Sequence, residues 1–379
     1  MTGGRRITAG SHGTVLVAGA GLAGSRTAET LRFFGHVGRI VLAGDEPDPP
    51  YERPALSKEL LADPRTDVAL RPATHWAENG IELTTGSSVS RVDPVGRTAL
   101  VGDEELGWDA LVVATGARPR RLTGPPGVHH LRSLADAQAL AADVDATKRV
   151  LVVGAGFIGA EVASTLLSKA ASVTIVEPMS APLERILGGD VGRVLAGRYR
   201  AHGVDLRLGV GTEGFAGRGR VRAARLTDGS MLPADVVVVG IGAVPESPFG
   251  GAIEVDEHGR SAIDGIYACG DVASWWRPSL QQRLRVEHWT SAAGQARAVA
   301  ATITGADEPY DEPPYFWSDQ FGLRLQYVGH ADGWHTVALD GDEDSFTARY
   351  LDREGRLLAA LAVNRARAVP ALRRELAAA

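Results

Sequence analysis

Apolar runs alternate with glycine-punctuated turns and helix-forming segments along this chain, and the alternation occurs twice. Residues 15–18 (VLVA) form a short apolar run. A glycine-rich turn and a helix-forming stretch to residue 32 follow, and residues 38–43 (GRIVLA) then read as a second parallel strand. Residues 81–92 and 98–108 read as added β-structure, and 111–119 (LVVATGARP) is an apolar strand running into Gly116. The same succession returns at residues 150–165 (VLVVGAGFIGAEVAST), 172–177 (SVTIVE) and 234–245 (ADVVVVGIGAVP). The duplication covers both the opening and the closing signals of each half. A third stretch, 265–305, holds a short strand at 266–269 and a helical pattern from Ala292 onward, with Trp289 just before it. From residue 315 the character changes. Apolar-rich runs separated by Asp-Gly and Glu-Gly turns predict antiparallel strands, closed by an arginine-rich helix over 369–376.

The turns carry the chemistry. Gly19, Gly21 and Gly24 stand in G-x-G-x-x-G spacing after a strand and before a helix, and Gly154, Gly156 and Gly159 repeat the pattern. The first glycine allows the tight turn, the second lets a pyrophosphate approach the backbone, and the third lets helix and strand pack closely. The helix N-terminus then offers free N–H groups and a partial positive charge to the phosphates. Asp45 or Glu46, at the end of the second strand, is the candidate for the ribose hydroxyls of the first dinucleotide; a solvated turn is the alternative. Glu177 holds the corresponding place in the second half. It accepts from a free ribose diol and repels a 2′-phosphate, which favours NAD(H), although Arg185 lies further on. The segment 48–61 (DPPYERPALSKELL) is stiffened by proline, and Ser57 is expected to cap a short helix beginning near Lys58. Asp271, after the strand at 266–269, either holds a sugar or ribityl hydroxyl or caps the residues from Val272 onward.

Composition narrows the classes. The 379 residues are 44% hydrophobic and 23% charged, with a net charge of −6, and nothing marks a nucleic-acid binder. A single cysteine, Cys269, rules out an internal disulfide and a cysteine-based metal site, and no metal is expected. No apolar run reaches membrane-spanning length. Residues 1–13 are polar and glycine-rich and read as a disordered tail without the apolar core of a signal peptide, so a cytoplasmic location is expected.

Two turns of this kind predict two dinucleotides facing each other, FAD and NADH. The motifs PYERPALSKELL, VATGARPR, CGDVA and FWSDQFGL, with the two fingerprints, resemble those of the FAD-dependent, NADH-using ferredoxin reductases of bacterial oxygenase systems. These are the putidaredoxin reductase and biphenyl dioxygenase reductase types, with the apoptosis-inducing factor as a relative. The resemblance spans about residues 14–375. It implies an α/β chain with two Rossmann-like dinucleotide-binding domains in a glutathione-reductase-like architecture plus an α+β C-terminal domain. The expected divisions are an FAD domain over 14–119 and 246–314, an NAD domain over 120–245, and the C-terminal domain over 315–379. The segment 245–265 and the C-terminal tail read as shorter than is usual in the family.

Carried over position by position, the resemblance implies FAD contacts at Ala23, Asp45, Lys58, Val89, Arg132, Asp271 and Trp289. Trp317 of FWSDQ is expected beside the benzenoid edge of the flavin. Arg53, Ala114, Thr115, Gly116, Ile158 and Gly242 complete the expected cofactor-binding set. Lys58 is expected to pair with Glu161, in the first turn of the helix after the second fingerprint, and to stabilise charge on the reduced ring. A helix-surface acid is the plainer role for Glu161. Cys269 is expected to be a buried neighbour of FAD without redox duty. Absence of a cysteine in 51–60 argues against thiol relays, leaving transient transfer of single electrons to a ferredoxin-type iron–sulfur protein that serves a P450 or Rieske oxygenase. The arginines at 365, 367, 373 and 374 are either a docking patch or a solvated face. A monomer or weak dimer is expected. The alternatives are an NADH-responsive redox sensor and a direct reductase of a small molecule such as a quinone.

Overall fold

The computed structural model describes residues 12–378, so the expectation for the first eleven residues of the tail lies outside the described residues. The chain divides into two compact units. The first comprises the residues up to Glu52 with Val68–Arg118 and Val244–Pro314. The second comprises Arg53–Asp67, Pro119–Ala243 and Tyr315–Ala379.

In the first unit the strand Val15–Ala18 is central to a five-stranded sheet. Ile40–Ala43 and then Ile81–Thr84 lie on one side, Ala110–Val113 and Ile266–Ala268 on the other, and all pairings are parallel. The three central strands are buried along their whole length, as strands covered on both faces must be. The helix Leu22–Phe33 follows the first glycine-rich turn and packs on the helix Trp289–Thr304. Two small sheets are added. One is the antiparallel set Val89–Asp93, Thr98–Val101 and Glu104–Gly107; the other is Ile253–Val255, Ala273–Arg277 and Gln282–Leu284.

The second unit repeats the plan. Arg149–Val153 is central to a parallel sheet, with Ser172–Glu177 and Asp205–Leu208 on one side and Val236–Val239 and Val128–His130 on the other. The helix Phe157–Leu166 follows the second fingerprint. The C-terminal portion is a five-stranded antiparallel sheet, ordered Tyr315–Gln320, Leu323–Gly329, Leu357–Val363, Phe346–Leu351 and Thr336–Gly341, with the helix Val369–Ala378 after it. Phe157 meets Phe316 edge to face at 4.6 Å, so the fingerprint helix rests on the first strand of that sheet.

Three local expectations change. The helix expected from Ala292 begins at Trp289, which is its first residue. No helix follows Asp271: Gly270–Val272 is a single 3-10 turn that runs into the strand Ala273–Arg277, so the capping alternative for Asp271 falls. Ser57 caps nothing, because it ends the 3-10 turn Arg53–Ser57 and its hydroxyl is used elsewhere. The segment Arg53–Asp67 groups with the second unit rather than with the strand it leaves. Leu61 is buried in that unit's core, and Thr165 Oγ1 donates to the Ser57 carbonyl at 2.8 Å.

Candidate functional site

The first fingerprint is tight where the backbone must pass itself. Gly19 has φ +110°, and a Cβ there would lie 2.3 Å from the Ala114 carbonyl oxygen; a Cβ on Gly24 would lie 1.9 Å from the Gly19 oxygen. Gly21 is the residue before the helix, and Ala23 is buried in its first turn. Thus the VATG strand end is packed against the turn, as the adjacency of Gly19 with Ala114 and Thr115 requires. Thr115 Oγ1 donates to the Glu246 carbonyl, and Glu246 N donates to the Gly116 carbonyl at 3.1 Å. Asp45 is exposed, whereas the neighbouring Glu46 accepts from the Tyr51 hydroxyl at 2.5 Å. Val89 opens its small sheet, half-buried, and Asp271 is half-buried in the 3-10 turn. The Trp289 indole donates to Glu52 Oε2 at 2.8 Å. Cys269 is fully buried with its sulfur 3.5 Å from Thr27 Oγ1, and burial pushes its thiol up to about 12.

In the second unit the same geometry recurs. Gly154 has φ +101°, with a hypothetical Cβ 2.4 Å from the Gly240 oxygen, and a Cβ on Gly159 would lie 2.1 Å from the Gly154 oxygen. A Cβ on Gly156 would meet nothing within 4 Å, so the turn is open where a pyrophosphate would approach the helix N-terminus. Ile158 is exposed beside it, and Gly242 is exposed with φ +95°. Glu177 is aimed back at the turn: Ala155 N donates to Oε2 at 2.8 Å and Met179 N to Oε1 at 3.0 Å. Each carboxylate oxygen keeps acceptor capacity for a ribose hydroxyl. These features fit a dinucleotide with a free 2′-hydroxyl.

Arg53 Nη1 donates to the Arg132 carbonyl at 2.5 Å, and Arg132 N donates to Asp136 Oδ2 at 3.0 Å. Trp317 is half-buried in the strand Tyr315–Gln320, its ring 6.4 Å from that of Tyr315.

Lys58 and Glu161 meet. Nζ of Lys58 is 2.6 Å from Oε2 of Glu161, and the ammonium is also 3.2 Å from the Pro54 carbonyl and 3.4 Å from Ser57 Oγ. Glu161 is not a surface acid: it is 3% exposed and is the fifth residue of Phe157–Leu166, one position beyond the first turn. A carboxylate so buried needs partners. Besides Lys58 it accepts from Ser57 Oγ (2.6 Å, on Oε2) and from Ser318 Oγ (2.6 Å, on Oε1). Neither serine stood among the expected site residues. The FWSDQ motif pointed to Trp317, yet alternate strand residues face opposite ways, and the next residue, Ser318, is the one turned toward the carboxylate.

Residues 13–296 match the family described as pyridine nucleotide-disulphide oxidoreductase, and residues 315–379 match the one described as reductase C-terminal. The chain is 38% identical over 374 residues to a ferredoxin–NAD(P)(+) reductase of Sphingomonas sp., covering 93% of this chain and 90% of that protein. It is 38% identical over 381 residues to rhodocoxin reductase of Rhodococcus erythropolis, covering 96% and 89%. The structure of putidaredoxin reductase covalently joined to putidaredoxin superposes with a TM-score of 0.91 at 31% identity, covering 96% of this chain and 93% of that one.

Proposed function

The chain belongs to the pyridine nucleotide-disulphide oxidoreductase family, and from that premise we propose that it is an NADH-dependent, FAD-carrying reductase of a ferredoxin that in turn serves a P450 or Rieske oxygenase. It is an oxidoreductase using FAD and NAD(H). Among the described residues no helix is long and apolar enough to cross a membrane.

One observation carries the reading of how electrons leave. The family name includes a disulphide, but this chain has one cysteine, fully buried, with burial holding its thiol protonated far above neutral pH. A dithiol relay needs two sulfurs within bonding distance, and a single-thiol relay needs an accessible thiolate. The chain offers neither, so electrons leave without a sulfur carrier. When bound, the flavin supplies two-electron acceptance from the nicotinamide and one-electron release to an iron–sulfur partner.

The residues supply placement and charge. Gly19, Gly21 and Gly24 with the helix N-terminus receive the FAD pyrophosphate, while Asp45, exposed at its strand end, takes the ribose. Gly154, Gly156 and Gly159 do the same for NADH, and Glu177 selects the free ribose diol. Lys58 provides the positive charge that stabilises the reduced isoalloxazine, and Glu161 fixes where that charge is held.

The test is turnover with and without carrier. The purified protein with NADH is expected to reduce cytochrome c only when a ferredoxin is added. Carrier-independent reduction of a quinone, or a long-lived reduced complex indifferent to every ferredoxin tried, overturns the reading in favour of a direct reductase or a redox sensor respectively.

A further inference from the structure

Three elements of the second unit converge on one carboxylate. The turn Arg53–Ser57 brings Ser57, the helix Phe157–Leu166 brings Glu161, and the strand Tyr315–Gln320 brings Ser318. Ser57, Glu161, Ser318 and Gln320 are each at most 3% exposed, and Tyr199 is fully buried. Lys58 alone among the partners reaches solvent, its side chain 17% exposed.

The hydrogen bonds have a fixed direction. Tyr199 donates its hydroxyl to Gln320 Oε1, Gln320 Nε2 donates to Ser318 Oγ at 3.0 Å, and Ser318 donates to Glu161 Oε1 at 2.6 Å. An amide nitrogen has no acceptor capacity, so the Ser318 proton is committed to the carboxylate. Ser57 donates to the other oxygen at 2.6 Å. The chain of donors ends at a phenol without access to water, its proton held harder still by burial and by the charge of Glu161. A conducting relay needs to be open at both ends, and this one is closed at Tyr199, so it carries no proton through; it can only hold.

We propose that Ser57 and Ser318 are positioning residues for the Lys58–Glu161 pair, one serine on each carboxylate oxygen, so that the C-terminal sheet contributes to hydride acceptance. The inference rests on the reading of Lys58 as the charge that stabilises the reduced flavin. With both oxygens engaged, the carboxylate cannot rotate, and the ammonium it binds is held at one place with its three donors spent on Glu161, Pro54 and Ser57.

The chain has only three lysines, Lys58, Lys148 and Lys169, so pulsed acetylation read by mass spectrometry reports Lys58 against two internal controls. An ammonium locked in an ion pair reacts slowly. In Ser318→Ala the holoprotein is expected to acetylate Lys58 severalfold faster, relative to Lys148 and Lys169, than the parent does. Flavin reduction by NADH in stopped flow should slow about tenfold, the size of one hydrogen bond to a charged group. Ser318→Thr, which keeps the hydroxyl, should return both readings toward the parent. Ser57→Ala leaves Oε2 to Lys58 alone and removes the hydroxyl 3.4 Å from Nζ, so it should move both readings the same way, providing the measurement if Ser318→Ala does not fold. Parental acetylation and parental flavin reduction in a folded serine variant overturn the proposal. Should Lys58→Met be reduced by NADH at the parental rate, the underlying reading of Lys58 fails; an accelerated acetylation in Ser318→Ala would then still establish the clamp, without a catalytic consequence.

Discussion

The two fingerprint halves share a plan down to individual atoms and differ in what one helix position is made to do. Each places its first strand at the centre of a five-stranded parallel sheet. In each, the third glycine lies so close to the carbonyl of the first that a Cβ would fall at about van der Waals overlap, 1.9 Å in one and 2.1 Å in the other. Two residues past that glycine the halves part. The first unit has Arg26, its side chain 29% exposed and paired with Glu29 one turn on at 3.0 Å. The second has Glu161, buried and answered by Lys58, Ser57 and Ser318. The turn fixes where the helix starts; the neighbours of the helix decide whether a charge on it is bland or committed.

The shared part should fail first and most heavily. In Gly24→Ala the new methyl has to displace the Gly19 carbonyl, backbone against backbone. A loss of about 3 kcal/mol in urea unfolding is expected, with the protein isolated free of flavin. Gly159→Ala meets the Gly154 carbonyl in the same way, yet it should purify yellow and lose its affinity for NADH. Flavin loss from the second variant, or flavin retained by the first, would break the assignment of one dinucleotide to each half.

The divergent position comes next. Removing Glu161 leaves Lys58 half-buried beside two serine hydroxyls that have lost their acceptor. Glu161→Ala is therefore expected to cost about 3 kcal/mol of stability, the lower end for breaking one side of a buried pair. Flavin reduction should slow about a hundredfold, as for loss of one preorganised charge stabiliser. Stopped-flow bleaching and urea titration of the same sample check both, and parental values in both would mean the burial of Glu161 has no function.

How much of this was legible in the sequence follows from how local each feature is. Turns, strands and the two closing segments are written in contiguous residues, and the structure has Ser172–Glu177 and Val369 at the expected boundaries. The Lys58–Glu161 pair was reachable only through the family resemblance, because nothing at residue 58 points to residue 161. Ser57 and Ser318 were not reached. They lie 104 and 157 residues from Glu161, and a serine at the end of a proline-rich turn has the local signature of a cap. The capping alternative for Asp271 failed the same way: a carboxylate after a strand reads as a cap until the chain is seen to turn into Ala273–Arg277 instead. Local rules name what a residue does for its own element, and these residues work for another.

A milder effect sharpens the contrast at the strand ends. Glu177 is pinned by Ala155 N and Met179 N, while Asp45 of the first half is exposed. Glu177→Ala removes a charge-assisted acceptor from the nucleotide and from Ala155 N and Met179 N at the turn, so KM for NADH should rise about tenfold with kcat nearly unchanged. The preference over NADPH should shrink, since the repulsion of a 2′-phosphate is gone. Steady-state kinetics with both donors, at constant flavin content, measure it; an enzyme that prefers NADPH before mutation removes Glu177 from the selection.

The smallest effect is expected at the register partner of Glu161. Arg26→Ala removes the 3.0 Å pair with Glu29, but Glu29 Oε1 keeps Arg71 Nε at 2.7 Å, so no carboxylate is stranded. A pair spaced i, i+3 on a partly exposed helix face contributes about 0.3 kcal/mol, and water takes the place of the lost donor. The urea midpoint, flavin content and rate of reduction by NADH should all stay at the parental values. A loss approaching that of Glu161→Ala would show that the position two beyond the third glycine is sensitive in any fingerprint helix. The cost in the second half would then come from the helix itself, and the serines and the lysine around Glu161 would no longer be needed to explain it.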